Sequence, residues 1–433
     1  MKFFSETIKL KSIYIGLYYL ALLLILSSWT DTKTSPNFLF KVVYFLCLLL
    51  PALCKRPDFV PMLVVSFASI GLYGYAYSFM PTYLPVYLGG LFLFYLAYSK
   101  SKIQTYKTPT LLVVFGIFTI IMDLVTASSI ENISYSIFII ILLCKFINNT
   151  VDRSTVSKFS FAFSLMTLVL SLYFILLRDQ FTQDYYAQGS GLERTGWMDP
   201  NYFGMVLGMG TVASIIQISS FRLLGFGEKI FYLATVVLSV PTLVLNASRG
   251  AILAVAVSFA FVIIFSKVKP IYKIIVLLIT VLFLYYLYDN SYFDLLEYRI
   301  DHDSGTGSGR TTIWHKKMEA FWNGEPYTWL VGYGNVGGKE LAFANHAFGS
   351  HNDYIAILCA YGLIGLTMFI GLLLYPILNL SEKSTNKAIV LSVSVYIIMM
   401  CTTLEPYTAG RFPYFCFYLY SLLIMSASNN QKL

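Results

Sequence analysis

Apolar runs of roughly 17–25 residues recur along almost the whole chain, and each is long enough to carry a helix across about 30 Å of hydrocarbon. They predict some fourteen spans, at about 12–28, 38–54, 59–79, 81–98, 110–127, 133–149, 159–177, 201–219, 230–247, 251–266, 272–288, 352–378, 388–404 and 413–427. Ten-residue segments of alternating polarity are absent, which argues against a membrane barrel. The first run has the length of a span and lacks a small-residue cleavage site after it, so it reads as the first helix and not as a leader. The expected fold class is therefore all-α, a polytopic transmembrane bundle of about 12–14 spans.

Composition agrees with the pattern. The 433 residues are 57% hydrophobic and only 12% charged. A water-soluble chain of this size carries about 25% charged residues to stay hydrated, so most of this surface must meet lipid. All six cysteines (Cys47, Cys54, Cys144, Cys359, Cys401 and Cys416) fall within spans. They read as small core hydrophobes, with no disulfide framework.

Charge then orients the bundle. Lys2, Lys9 and Lys11 place the N-terminus in the cytoplasm, because short basic loops stay on that side. Alternation of the spans puts Lys55/Arg56, Lys100/Lys102/Lys107, Arg153/Lys158, Arg222/Lys229, Lys267/Lys269/Lys273 and Lys383/Lys387 there as well. The opposite face has a different chemistry. It receives Arg178, Arg194, Arg249, Arg299, Arg310 and Arg411, all four histidines (His302, His315, His346 and His351) and all five tryptophans. The chain divides accordingly into N-terminal helices at 1–177, an external loop at 178–200, helices at 201–288 around the Arg249 turn, a large external loop at 289–351 and C-terminal helices at 352–433. Within the large loop, "GRTTIWHKKMEAFW" at 309–322 predicts an amphipathic helix near the membrane surface, preceded by the flexible composition "DHDSGTGSG".

Arginine matters because its planar fork pairs with phosphate oxygens two at a time, whereas lysine is a point charge. An arginine-rich external face points to an anionic phosphate ligand; contact with lipid headgroups is the plainer alternative for Arg178, Arg299 and Arg411. Arg249 stands out, since "NASRGA" leaves it between two apolar spans with almost no loop, where a charge without a partner is costly. Snorkelling to the interface is the competing account. In "GLERTGWMDPNYFG", Asp199 and Pro200 suit the cap and first turn of a helix, which leaves Glu193, Arg194, Trp197 and Asn201 as candidates for ligand contact. His351 opens a span in "SHNDYIAILCAYGLIG", where an imidazole can be neutral near pH 7 and take a proton, or stand idle at an interface. Gly362 and Gly365 read as sites of close helix packing. The histidines show no metal-ligand spacing, and "DHDSGTG" lacks the later acidic ligand of a calcium loop. No metal or cofactor is expected.

The ordered set "NASRGAILAVAVSF", "GSGRTTIWHKKMEAF", "LVGYGNVGG" and "SHNDYIAILCAYGLIGL" resembles the C-terminal region of the O-antigen ligase and O-antigen polymerase superfamily, over roughly 190–378. The resemblance implies a fold like the membrane glycosyltransferases of the C type and a donor glycan carried on undecaprenyl diphosphate at the periplasmic or outer face of the inner membrane. It implies that Arg249 and Arg310 bind the diphosphate and that His351 works at the reacting sugar. Arg194 matches a looser arginine before the "PN" helix start. Glu193 and Asp353 stand in reserve as base, Trp197, Trp314 and Trp322 are candidates for stacking on sugars or for interface anchoring, and Arg411 is a further candidate for substrate binding. The expected activity is polymerisation of lipid-linked repeat units into surface polysaccharide, such as O-antigen, capsule or exopolysaccharide. A ligase transferring the finished glycan to lipid A core is the alternative within the class, and a flippase for lipid-linked sugars the alternative outside it. The expected partners are the lipid-linked glycan and membrane lipid, with a chain-length regulator and a flippase of the same pathway as further candidates; nucleic acid is not among them.

Overall fold

The computed structural model describes residues 110–126, 153–176, 200–219, 224–301, 309–343, 349–380, 387–408, 417–418 and 420–425. The spans expected at 12–28, 38–54, 59–79, 81–98 and 133–149 lie outside these residues, as does the 178–199 loop. Among the described residues the chain is helical, without strands. The helices are α1 (Thr110–Val125), α2 (Arg153–Leu176), α3 (Pro200–Ser219), α4 (Phe226–Leu245), α5 (Arg249–Phe265), α6 (Pro270–Asp289), α7 (Asp294–Asp301), α8 (Arg310–Trp322), α9 (Pro326–Val331), α10 (Gly334–Glu340), α11 (Asp353–Leu378) and α12 (Lys387–Thr403). Residues 417–418 and 420–425 are helical as well.

Stretches within α2 and α3, and α4, α6 and α11, are long and apolar enough to cross a membrane; α1, α5 and α12 are shorter apolar helices. The protein is an all-α polytopic membrane bundle. At its centre stands α3, whose face is thinned by glycines so that neighbours come close. Gly204 lies against Ser248 and Ala251 of the α5 turn, Gly208 against the Tyr396 ring of α12, and Gly210 against Thr167 of α2. Small residues of this kind let helix backbones approach where lipid offers no hydrophobic drive to association. Buried hydroxyls then link helices: Thr211 to Ser239 at 2.8 Å, Ser214 to Ser164 at 2.8 Å, and the Tyr396 hydroxyl to the Met205 carbonyl at 2.6 Å.

The described residues of the 289–351 segment are more helical than its composition suggests. Four helices, α7 to α10, form where one amphipathic helix was expected. The expected one is α8, with Thr311, Thr312, His315, Lys316 and Glu319 exposed and Phe321 buried. The additional three are 6–8 residues long, too short to show a hydrophobic period, and α9 is announced chiefly by Pro326 in its first turn.

Of these, α9 and α10 pack against α11, which is broken at Gly362 (φ 65°, ψ −165°). That backbone conformation suits glycine alone, and a Cβ there would collide with the Leu330 carbonyl of α9. Gly362 is thus a break seated against α9, not only a smooth contact between helices. The Cys359 carbonyl just before the break accepts the Tyr333 N–H at 3.0 Å, which satisfies a group left without its helical partner. Gly362→Ala is expected to lower stability by about 1–3 kcal/mol, seen as a lower thermal unfolding midpoint in detergent; a wild-type midpoint would contradict the tightness of this joint.

Candidate functional site

Three segments distant in sequence, carrying Arg249, Arg310 and His351, converge on the C-terminal end of α12. Arg249 begins α5, and its neighbour Gly250 leaves space only for Thr403, whose side chain a Cβ would strike. Arg310 begins α8 and donates from Nη1 to the Thr403 carbonyl at 2.9 Å. His351 precedes the α11 cap. On its far side Asn352 donates from Nδ2 to the Thr402 carbonyl at 3.3 Å, and the Asp353 N–H reaches the Leu404 carbonyl at 3.0 Å. Residues 402–405 therefore serve as a common post for the segments carrying both arginines and the histidine.

Local sequence explains each placement. Asn352 caps α11 by accepting from the Tyr354 and Ile355 N–H groups at 2.9 and 3.2 Å, the usual role of an Asn at this position. His351, just outside, takes a left-handed conformation (φ 50°) uncommon for a residue with a Cβ. Ala247, two residues before Arg249, does the same (φ 51°), and its carbonyl accepts Arg299 Nη1 at 2.6 Å. Arg299 thus fastens α7 to the Arg249 turn. Backbone strain of this sort persists only where surrounding contacts hold it.

The other candidates divide. The Trp314 indole donates to the Ser350 carbonyl at 2.6 Å, beside His351. Asn201 is buried in the first turn of α3, one turn before the Gly204 contact with Ser248. Asp353 is fully buried, and its carboxylate accepts the Tyr407 N–H at 2.9 Å and the Thr408 N–H and hydroxyl at 3.0 Å each. Those bonds tie α11 to the 407–408 turn and occupy the group. Trp322 lies apart from this cluster, stacked edge-on with Trp329. Glu193, Arg194, Trp197 and Arg411 lie outside the described residues.

Two groups emerge that sequence reasoning passed over. Glu405 is buried, accepts the Ser350 hydroxyl, and has Gly349 pressed against its other oxygen. Its signal was a lone carboxylate, "TTLEPY", between two spans. Lys317 is 1% exposed and donates to the Gly338 and Lys339 carbonyls at 2.9 and 3.1 Å, pinning α8 to α10. Burial, and then the nearby Lys339 charge, push its ammonium below the usual lysine range, against opposing pulls from Cys359 and Glu405.

The family model described as O-antigen ligase matches residues 234–370, from within α4 to within α11. The match supports the O-antigen ligase and polymerase superfamily for this part of the chain, and it covers Arg249, Arg310 and His351 together. It supports a glycosyl-transfer enzyme of O-antigen synthesis, acting on lipid-linked glycan in the membrane. No curated protein matches the chain.

Asp353→Ala strands several buried donors at once, so it should destabilise the fold by on the order of 3 kcal/mol; the monodisperse fraction after detergent extraction measures this. Lys317 gives a pH signature. The unfolded chain holds its lysine proton up to a higher pH than the folded one, so stability rises with pH between the folded and unfolded lysine values. That rise, read from unfolding midpoints, should be smaller in Lys317→Met.

Proposed function

We propose that this protein joins glycan units carried on undecaprenyl diphosphate, polymerising repeat units into surface polysaccharide at the face of the inner membrane remote from the cytoplasm. The observation that supports the reading is the convergence of the segments carrying Arg249, Arg310 and His351 on residues 402–405.

The donor is a sugar bonded through C1 to the lipid diphosphate. An acceptor hydroxyl attacks C1, the C1–O bond to phosphate breaks, and its electron pair leaves with the diphosphate. Arg249 and Arg310 stabilise that departing anion, as fixed donors aimed at developing charge do. The start of α5 adds its positive helix end at Arg249. His351 takes the proton of the attacking hydroxyl. Trp314 and Asn201 border the substrate, and Glu193, Arg194, Trp197 and Arg411 remain candidates for the rest of the binding surface. The arginines supply this stabilisation without a required metal.

The description of the matched family favours a second reading, a ligase that passes finished glycan to lipid A core or another acceptor. Donor and chemistry are shared, and only the acceptor differs. A deletion strain separates them. Single repeat units on the acceptor indicate a lost polymerase; long chains left on the lipid carrier indicate a lost ligase.

Arg249→Ala, Arg310→Ala and His351→Ala should each leave the protein in the membrane and remove long glycan from the cell surface. One charge-assisted bond is worth about 1.5–3 kcal/mol, so each arginine loss should slow transfer roughly tenfold to a hundredfold. Arg249→Lys should also be impaired, because a point charge cannot replace the fork. Normal glycan length in all of these variants would overturn the site, and reporter fusions placing 289–351 in the cytosol would overturn the whole reading.

A further inference from the structure

The corner between α8 and α9 carries an exposed apolar and aromatic patch remote from the arginine cluster. Trp322 is 44% exposed, Tyr327 67% and Leu330 52%. Trp322 stands edge-on to Trp329, so the patch is backed by packed rings. Its polar rim is Asn323 and Glu325, both exposed.

The height of this patch along the bundle can be read from α11. That helix has 26 residues, about 39 Å at 1.5 Å per residue, and therefore exceeds the roughly 30 Å of hydrocarbon. The Asp353 end is the one flanked by the short helices, Trp314 of α8 bonding the Ser350 carbonyl and Tyr333 the Cys359 carbonyl, so that end projects. The portion beyond the break, 363–378, spans about 24 Å and nearly fills the hydrocarbon. The boundary then falls close to Gly362. α1 marks the same level independently: Asp123, near its end, accepts the Tyr361 hydroxyl at 3.2 Å and the Asn335 N–H at 3.1 Å.

The Leu330 backbone lies directly against Gly362. The next two residues of α11, Leu363 and Ile364, are 39% and 38% exposed, and they continue the patch onto the lipid-facing side of the span. Tryptophan and tyrosine favour this depth, with ring in the apolar layer and polar edge among headgroups. We propose that Trp322, Tyr327 and Leu330 form an interfacial foot, inserted among the lipids of the leaflet at the Asp353 end of α11. It sets the height of α8, and so of Arg310 at its start, relative to the headgroup phosphates. The proposal rests on the membrane fold and not on the transfer reaction.

A sugar-stacking platform would expose the same rings, and the two occupants are distinguished with full-length protein in phosphatidylcholine–phosphatidylglycerol bilayers. In one arm, Trp29, Trp197, Trp314 and Trp329 are replaced by Phe, and Trp322 fluorescence is followed with lipids brominated at stepped depths. Strong quenching, greatest for the shallow bromines, is expected. Emission untouched by brominated lipid but quenched by aqueous iodide would overturn the foot, and so would emission that responds only to added oligosaccharide. In a second arm, Leu330→Cys and His315→Cys are treated with a charged, water-soluble maleimide, with the parent protein as blank. His315 is 81% exposed in its side chain on the polar side of α8 and should label readily. Leu330→Cys should lose labelling in bilayers; labelling at the rate of His315→Cys would refute insertion even if the multiple Trp replacement failed to fold.

Discussion

A carbonyl stranded in an apolar layer is expensive, and the part of this molecule around α8 to α11 is organised around supplying partners for such groups. When α11 breaks at Gly362, the Cys359 carbonyl is met by the Tyr333 N–H, which fixes the α9–α10 turn against the break. Asp123 of α1 holds the Asn335 N–H one residue into α10, and Lys317 of α8 takes the carbonyls at its end. Each bond satisfies a main-chain group while fastening a short helix that could not stand alone. The segment from α8 to α10 is thereby built onto the bundle as part of its packing, not draped over it.

That construction places the charges. Arg310 starts α8, Arg249 starts α5, and His351 sits just outside the α11 cap, so every one of them is at a helix start on the same side. The end of α12 gathers them through Thr402, Thr403 and Leu404. Opposite ends of neighbouring helices meet here, and the carbonyls closing α12 hold the groups that begin α8 and α11. Glu405 continues the same post, bonded to Ser350 and so one residue from His351.

Much of this was legible in the sequence, and the reasons differ from part to part. The spans at 201–219, 230–247, 251–266, 272–288, 352–378 and 388–404 reappear as helices within a few residues of their expected bounds, because twenty apolar residues leave a membrane chain few other options. Arg249 was visible as a charge with nowhere to hide. Three of the four external helices were not, since 6–8 residues are under two or three turns and carry no readable period. Gly362 was legible as important but not as a break, because left-handed backbone shows only when something presses against the missing Cβ. Asp353 read as reserve acid chemistry, and its bonds to the 407–408 turn could not be read from the sequence; Glu405 drew no attention because a lone carboxylate beside a proline resembles any loop residue.

One helix stands apart from all this bonding. In α6 a single side chain, Leu287, is buried, Lys273, Thr280 and Phe283 are half-buried, and the rest are exposed. A segment with no shape to match is limited by length and oiliness, not by identity. It works as a ruler: twenty residues at 1.5 Å each make about 30 Å, which delivers the chain from the Lys267–Lys273 side to the start of α7. Among the described residues, drift among its isoleucines, leucines and valines would disturb few contacts, whereas deletion of a single turn would pull the α7–α10 segment off level.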